Sequence, residues 1–277
     1  KRNIGILTEE EQQKLRHVKI AIVGCGGVGG AHLTNLIRLG VGNFHIADMD
    51  QFDVVNIQRQ YGAFVDTIGS NKAESMKAMA LAINPHLNIK VFAKGVTQEN
   101  MDAFLEDVDI LLDGIDFFCV DMRRALFMKA KEEGIYTITA GPLGFGSALL
   151  VFSPNGMSFD QYFDINDQMS YLKKVIAFAV GLAPSALHMN YINLGKVDPT
   201  AKSGPALISA CALASALAVT EVIKIVTHRK KVAGAPHYVQ FDPFLQKFKK
   251  GYLWRANRHP WQVAKRWFLY RKFRKYE

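Results

Sequence analysis

Apolar and polar positions alternate along the first half of the chain in blocks with the lengths of strands and helices. Thr8 and Glu11 form a capping-box pattern that predicts a short helix through Leu15. Strands are predicted at residues 18–23, 44–47, 89–92, 108–112 and 136–139, and helices at 28–39, 70–83 (capped by Ser70 and ended by Asn84-Pro85), 98–105 and 118–132. This alternation predicts an α/β fold with a doubly wound, mainly parallel sheet.

The alternation ends after Gly141-Pro142, where residues 147–152 predict a strand that no helix precedes. No internal repeat, low-complexity linker or clean boundary divides the chain before its last 35 residues. We therefore predict one domain over residues 1–242, followed by a tail over residues 243–277.

Two apolar runs have to be weighed as membrane spans. The run at 175–187 is interrupted by Gly181 and Pro184, and the run at 206–219 is shorter than the roughly 20 residues that a bilayer requires. Both runs therefore predict buried helices. The second helix is expected to begin at Gly204-Pro205, because proline suits the first helical position.

The net charge of +9 is concentrated in the tail. Residues 243–277 contain eleven Lys and Arg and one acidic residue, so 23 basic and 24 acidic residues remain for the rest of the chain. The three cysteines, at positions 25, 119 and 211, are far apart and include no Cys-x-x-Cys pair. This pattern predicts a reducing, cytoplasmic location and no zinc site.

The sequence IAIVGCGGVGG, residues 20–30, predicts a phosphate-binding turn. Its glycines (Gly24, Gly26, Gly27 and Gly29) lie between a predicted strand and a predicted helix. Glycine lets the backbone approach phosphate oxygens closely, and the start of the helix offers unpaired N–H groups. Asp48 follows the next strand, where a carboxylate can bind ribose hydroxyls. These features serve NAD and ATP equally.

Charged and polar residues beyond Asp48 favour ATP over a dinucleotide. ATP carries about four negative charges and needs fixed cations and a metal. Arg59 and Lys72 can supply the cations, and Asp113 and Asp116 follow another strand, where their oxygens can hold Mg²⁺. Asp50, Asn56 and Gln60 complete the candidate set.

The motifs IADMDQFDVVNIQRQ, NKAE, INP and DGID, together with RNIGIL and the glycine turn, resemble the ThiF/MoeB/HesA-type superfamily, the adenylating relatives of ubiquitin-activating enzymes. The resemblance covers residues 2–140 well and the apolar helix after Gly204 more loosely. It implies a Rossmann-like fold, a homodimer, binding of ATP and Mg²⁺, and attack of a carboxylate on the α-phosphate. The product would be an acyl-adenylate, with release of pyrophosphate.

The resemblance also implies roles for individual residues. Gly26 and Gly29 would hold phosphates and Asp48 the ribose. The triphosphate would be bound by Asn56, Arg59 and Lys72, and the magnesium ion by Asp116. Arg2 matches an arginine that reaches across the dimer into the partner's site in this family, where a planar, permanently charged group can stabilise departing pyrophosphate.

The chain departs from the family in its cysteines. The zinc-binding pairs of many members are missing, and no cysteine lies between Cys119 and Cys211, where sulfur-transferring and thioester-forming members have theirs. Cys211 lies in an apolar run and is expected to be a buried structural residue. The sequence thus predicts direct attack on the activated acyl group, without a covalent cysteine relay. Phe117 also stands where the family often has asparagine.

The acid is left open as a small carrier protein, a peptide or a modified tRNA nucleoside. A tRNA-modifying dehydratase of the same superfamily, an NAD-dependent oxidoreductase and a non-catalytic nucleotide-binding partner remain alternatives. NAD chemistry would leave Arg59, Lys72 and Asp116 without a role.

The tail interleaves aromatic residues with cations, and Pro260 is expected to start a helix in which Val263, Trp267 and Tyr270 share one face. It either docks on the core or a dimer partner, or contacts tRNA, an acidic protein or an anionic membrane. The last option would make the protein peripheral at a membrane surface.

Overall fold

A computed structural model of the chain describes residues 2–192 and 204–277. The strands are β1 (Lys19–Val23), β2 (Asn43–Ala47), β3 (Asn88–Phe92), β4 (Ile110–Asp113), β5 (Tyr136–Leu143), β6 (Gly146–Phe152), β7 (His237–Asp242) and β8 (Lys247–Tyr252). The helices are α1 (Glu9–His17), α2 (Gly27–Leu39), α3 (Lys72–Ile83), α4 (Met101–Leu105), α5 (Val120–Glu132), α6 (Phe159–Phe163), α7 (Tyr171–Leu182), α8 (Ile208–Thr227) and α9 (Pro260–Phe273).

Within the described residues the strands form one sheet in the order β3-β2-β1-β4-β5-β6-β7-β8. The first five strands in this order pair in parallel, and β5 to β8 pair antiparallel. This arrangement confirms the predicted α/β fold with a doubly wound, mainly parallel sheet. The order reverses at β1, and the carboxyl ends of β1 and β4 lie side by side at that switch point.

Helices cover both faces of the sheet. Helices α2 and α8 pack together on one face, where Ile20, Ile22, Leu36 and Phe44 are fully buried. The other face is covered beside β1 and β4 by α4 and α5, and beside β6 by α6 and α7. A sheet covered on both faces requires nearly continuous apolar strands, which is how β1 and β4 read in the sequence.

The predicted starts of α3 and α8 differ from those in the structure. The N-cap of α3 is Asn71, whose side chain accepts the N–H of Glu74, whereas Ser70 lies one residue outside the helix. Helix α8 begins at Ile208, with Leu207 as its N-cap, so Pro205 is not its first helical residue. The capping box of Thr8 and Glu11 is confirmed, with both of its hydrogen bonds present.

Helix α8 is the one described helix that is long and apolar enough to cross a membrane by length and composition. Half of its apolar stretch is buried, and α8 packs against α2, β5 and β6. Its Cys211 is buried, as the sequence predicts. Helix α8 therefore acts as a core helix of this sheet.

Residues 243–277 are packed against the rest of the chain. Strand β8 extends the sheet beyond β7, and α9 lies along α7 through Leu269, Tyr270 and Phe273. The predicted boundary between a domain over residues 1–242 and a tail over residues 243–277 stays a prediction. Residues 193–203 of that domain lie outside the described part of the chain. Pro260 starts α9 as predicted.

The expected grouping of side chains on α9 is wrong. Val263 and Trp267 face solvent, whereas Tyr270 turns towards α7. Lys265 and Arg266 also turn inward, because each finds oxygen acceptors on the body of the protein.

Candidate functional site

The glycine turn and two acidic loops meet at the carboxyl edge of the parallel strands. Strand β1 pairs with β2 on one side and β4 on the other, so the loops that follow Val23, Ala47 and Asp113 are neighbours. The N–H of Gly24 donates to the carbonyl of Ala47 at 2.7 Å, and the N–H of Gly114 donates to that of Val23 at 2.8 Å. This edge of the sheet is where open α/β folds bind ligands.

The fold requires glycine at two positions of the turn and tolerates a side chain at a third. Gly24 has a φ of +86°, and a Cβ there would lie 2.2 Å from the carbonyl oxygen of Gly114. A Cβ on Gly29 would lie 1.7 Å from the carbonyl oxygen of Gly24. Gly26 is different, because a Cβ there would make only ordinary contacts, the nearest 3.5 Å from the amide of Gln60. The fold itself tolerates a side chain at Gly26, so glycine there keeps space for a ligand.

The start of α2 fits an anionic group. Its N-cap is Gly26, which has no side chain to accept the N–H groups of the first turn, and that turn contains no acidic residue. These donors and the helix dipole together favour a phosphate. The buried Gln60 lies beside this turn, and its Oε1 has no hydrogen-bond partner among the described residues.

Asp48 is held by the backbone at the end of β2. Its carboxylate accepts the N–H of Cys25 at 2.7 Å and that of Asp50 at 2.9 Å. Burial raises the pKa of Asp48 above its ordinary value, although the two N–H donors act in the opposite direction. The first of these bonds fixes Asp48 directly to the glycine turn, where the ribose of a nucleotide is expected.

Lys72 is already paired with a neighbouring carboxylate. It lies in the first turn of α3, is largely buried, and places Nζ 3.0 Å from Oδ2 of Asp50. Asn71 joins the same loops, since its Nδ2 donates to the carbonyls of Asp48 and Ala93. The charge of Lys72 is therefore balanced by Asp50. A phosphate would have to compete with that carboxylate to bind Lys72.

Arg59, unlike Lys72, has no carboxylate partner among the described residues. Its Nη1 donates to the carbonyl of Val55 at 3.3 Å, and its backbone oxygen lies 3.4 Å from the position of a Cβ on Gly27. The thiol of Cys211 lies 3.0 Å from that same position. Burial raises the pKa of Cys211, while Arg59 acts to lower it.

Asp113 and Asp116, both predicted to hold magnesium, differ in their availability. Asp113 is buried. Its carboxylate accepts hydrogen bonds from Nε of Arg123 at 2.8 Å and from the hydroxyl of Thr139 at 2.7 Å. The prediction for Asp113 is therefore wrong, because its oxygens are occupied. Asp116 is exposed and, among the described residues, accepts only the N–H of Phe118, at 2.9 Å.

Arg123 holds the loop that carries Asp116. Its Nη2 donates to the carbonyls of Ile115 and Asp116, and its guanidinium stacks 4.4 Å from the ring of Phe178. Sequence reasoning missed this residue. The sequence did contain a signal for it. Asp113 ends a strand, and an arginine near the start of the next helix can reach back to such a carboxylate.

The described residues contain no group of three or more His, Cys, Asp or Glu that could hold a metal ion by itself. Mg²⁺ is commonly held by one or two carboxylates together with substrate phosphates. Asp116 next to the phosphate-binding turn fits that arrangement.

Asn56 and Arg2 differ in their distance from the other candidates. The carbonyl of Asn56 accepts the N–H groups of Arg59 at 3.0 Å and of Gln60 at 2.9 Å, so Asn56 belongs to the same loop as these two residues. The side chain of Asn56 is buried and its oxygen accepts the N–H of Asp53, which shapes the loop before Arg59. Arg2 is exposed, and its neighbour Asn3 donates to the carbonyl of Leu39 at the far end of α2. The 13 residues of α2 put about 18 Å between that end of the helix and the glycine turn of the same chain.

The chain matches a known protein family. The sequence model of the ThiF family matches residues 1–260. A tRNA threonylcarbamoyladenosine dehydratase of Haemophilus influenzae is 33% identical over 140 residues, which are 50% of this chain and 53% of that protein. A probable molybdopterin-synthase adenylyltransferase of Porphyra purpurea is 37% identical over 147 residues, 48% of this chain and 38% of that protein. The chain thus spans about half the length, or less, of these curated relatives.

Solved structures share the fold. The crystal structure of PaaA superposes with a TM-score of 0.67 at 17% sequence identity, covering 88% of this chain and 75% of that one. Escherichia coli MccB with ATP superposes with a TM-score of 0.63 at 20% identity, covering 87% and 65%. At these identities the likeness concerns the fold.

Proposed function

This chain belongs to the ThiF family, and on that premise we propose that it is an ATP-dependent adenylyltransferase. A carboxylate oxygen of the acid attacks the α-phosphorus of ATP, the bond to the bridging oxygen breaks, and pyrophosphate leaves. The observation that carries the proposal is one crevice with three features: a helix start without a side-chain cap, an arginine without a carboxylate partner among the described residues, and an exposed aspartate.

Each side chain has a task that follows from its surroundings. The N–H groups at the start of α2 bind phosphate oxygens, and Asp48 orients the ribose from its position on the glycine turn. Arg59 stabilises the charge that develops on the leaving pyrophosphate. Asn56 and Lys72 help to bind the triphosphate. Asp50 and Gln60 belong to the residues that surround the nucleotide.

Asp116 would hold Mg²⁺ together with phosphate oxygens, and the ion would neutralise part of the triphosphate charge. Arg123 keeps the loop of Asp116 in place through its ion pair with Asp113. In a homodimer, Arg2 of the partner would complete the site.

The acid is a carboxylate of a peptide, a small carrier protein or a tRNA nucleoside. MccB, which shares the fold, forms a complex with MccA, and we take a peptide or carrier-protein carboxylate as the first option. The dehydratase names of relatives from H. influenzae and Bacillus subtilis support a tRNA-modifying dehydratase as the second candidate function. With no cysteine between Cys119 and Cys211, the activated acyl group passes directly to its acceptor in a reducing, cytoplasmic setting.

ATP–pyrophosphate exchange tests the proposal. We expect exchange that depends on magnesium and on an added acid, and its loss in Asp116→Ala. Asp66→Ala removes another exposed aspartate and should leave exchange unchanged. Full activity of Asp116→Ala would refute the metal assignment.

Nucleotide binding separates the enzyme classes. An oxidoreductase would bind NAD tightly and ignore ATP with magnesium, whereas we expect the reverse, because Arg59 and the uncapped helix start suit a triphosphate. A non-catalytic binding partner would bind ATP without exchange for any acid offered.

A further inference from the structure

Helix α9 exposes three aromatic residues to solvent, while several of its polar residues face the protein. Trp261 is 71% exposed, Trp267 59% and Phe268 56%. On the opposite face Gln262 is buried and donates to the carbonyl of Val180, and Lys265 donates to that of Pro184. A surface helix of a globular protein normally has the opposite arrangement.

The inward polar contacts fix this orientation. Arg266 pairs with Asp164 and donates to the carbonyl of Asn257, while Phe273 packs among apolar residues of α7. Turning α9 about its axis would break these contacts. The aromatic rings therefore stay in water unless a partner covers them, and a contiguous exposed apolar face of this kind marks an interaction site.

Exposed cations accompany these aromatic residues in the last 35 residues of the chain. Eight of the eleven Lys and Arg after residue 242 are exposed and have no carboxylate within ion-pair distance among the described residues (247, 249, 250, 255, 271, 272, 274 and 275). Arg271 lies over the ring of Trp267 at 4.8 Å, and Arg255 lies over that of Trp254 at 5.3 Å. Trp254 is itself 58% exposed and contacts His259 at the start of α9.

Apolar and cationic positions are segregated along the outer face. Trp261, Ala264, Trp267 and Phe268 are exposed in the first part of α9. Arg271 lies in its last turn, and Lys275 follows in the 3₁₀ turn Arg274–Tyr276. An apolar surface with cations at its border is typical of a helix that lies in the interface of an anionic bilayer. A groove for single-stranded RNA is concave and has cations between its aromatic residues, whereas this face is the convex outside of a helix.

We propose that the aromatic–cationic surface, defined by Trp254, Trp261, Trp267, Phe268, Arg255, Arg271 and Lys275, docks the protein on an anionic lipid membrane. Charge complementarity favours this partner over a second copy of the chain. A twofold contact through this surface would bring two sets of unpaired cations together.

The experiment uses the intrinsic fluorescence of the full chain. Its only tryptophans are 254, 261 and 267, so tryptophan emission reports on this surface alone. Vesicles of phosphatidylcholine with one third phosphatidylglycerol should co-sediment the protein and shift its emission to the blue. Vesicles of phosphatidylcholine alone should do neither, and added salt should release the protein.

Paired variants make the result specific. Trp261→Ser with Phe268→Ser, and separately Arg271→Glu with Lys275→Glu, should weaken partitioning by about tenfold or more. The matched controls are Ile6→Ser with Val65→Ser and Lys230→Glu with Lys231→Glu, which change exposed residues elsewhere and should partition as the native chain does. Circular dichroism should show the same helix content in all of them.

Three results would overturn the proposal. The first is no partitioning into anionic vesicles, and the second is equal partitioning of the aromatic variant and its control. The third is a blue shift of tryptophan emission that vesicles do not cause but single-stranded RNA or self-association of the protein does. Sedimentation measures the self-association.

Discussion

His32 is a titratable residue in the core of the protein. It is fully buried in α2, neither ring nitrogen has a hydrogen-bond partner among the described residues, and burial lowers its pKa from 6.5 to about 3. Below pH 6.5 the unfolded chain therefore binds a proton that the folded chain does not. The free energy of unfolding should fall by about 1.4 kcal/mol for each pH unit of acidification from this residue.

Replacing His32 by leucine tests this linkage. His32→Leu has similar volume and no nitrogen to protonate, so its stability should fall less steeply than that of the native chain below pH 6.5. Urea denaturation at several pH values measures both slopes, and the difference isolates His32 from other titrating groups. Parallel slopes would contradict the assignment.

The pair Arg123 and Asp113 is the second residue-scale case. Both side chains are almost fully buried, so removing one partner leaves an uncompensated charge. Arg123→Met should lower the free energy of unfolding by about 3–5 kcal/mol, as measured by chemical denaturation. Lys90→Met breaks the exposed pair with Glu106 and should cost about 1 kcal/mol or less. Similar losses in both variants would show that Arg123 is not fixed as described.

At the scale of elements, the start of α3 connects a helix cap with the candidate site. The side chain of Asn71 caps α3 and also donates to the carbonyls after β2 and β3. We expect Asn71→Ala to cost about 2 kcal/mol, the upper range for a lost cap, because several hydrogen bonds disappear together.

Ser70→Ala is the control for that measurement. Ser70 is exposed and lies outside the helix, so its substitution should change the unfolding free energy by about 0.5 kcal/mol or less. A larger effect of Ser70→Ala than of Asn71→Ala, in thermal or urea denaturation, would restore Ser70 as the cap.

At the scale of the whole molecule, the position of Arg2 decides how many chains form one site. The N-terminal segment is tied to the far end of α2, and on our proposal that Arg2 completes the site, it would do so from a partner chain. We therefore expect Arg2→Ala and Asp116→Ala to be inactive separately and to complement each other when mixed after reversible dissociation. Random pairing gives about a quarter of native exchange activity. No recovery in the mixture would contradict a role of Arg2 across the dimer.

Much of the crevice could be predicted from local sequence. Gly24 and Asp48 follow strands whose apolar runs are unambiguous, and parallel strands bring their carboxyl ends to one edge whatever the details of packing. The capping box at Thr8 needs only neighbours three residues apart. These features rest on short-range geometry, which the order of residues specifies.

Local sequence patterns do not predict contacts between distant segments. Whether Asp113 is free for a metal depends on Arg123 and on Thr139 in the neighbouring strand, and the direction in which α9 faces depends on acceptors in α7 and at Asp164. A buried carboxylate requires a partner wherever the fold supplies one. The sequence by itself determined the α/β fold and the edge of the sheet that carries the candidate site, because their signals are periodic and local. Only the tertiary structure decided which charges are paired and which aromatic residues stay exposed, because pairing and exposure depend on long-range packing.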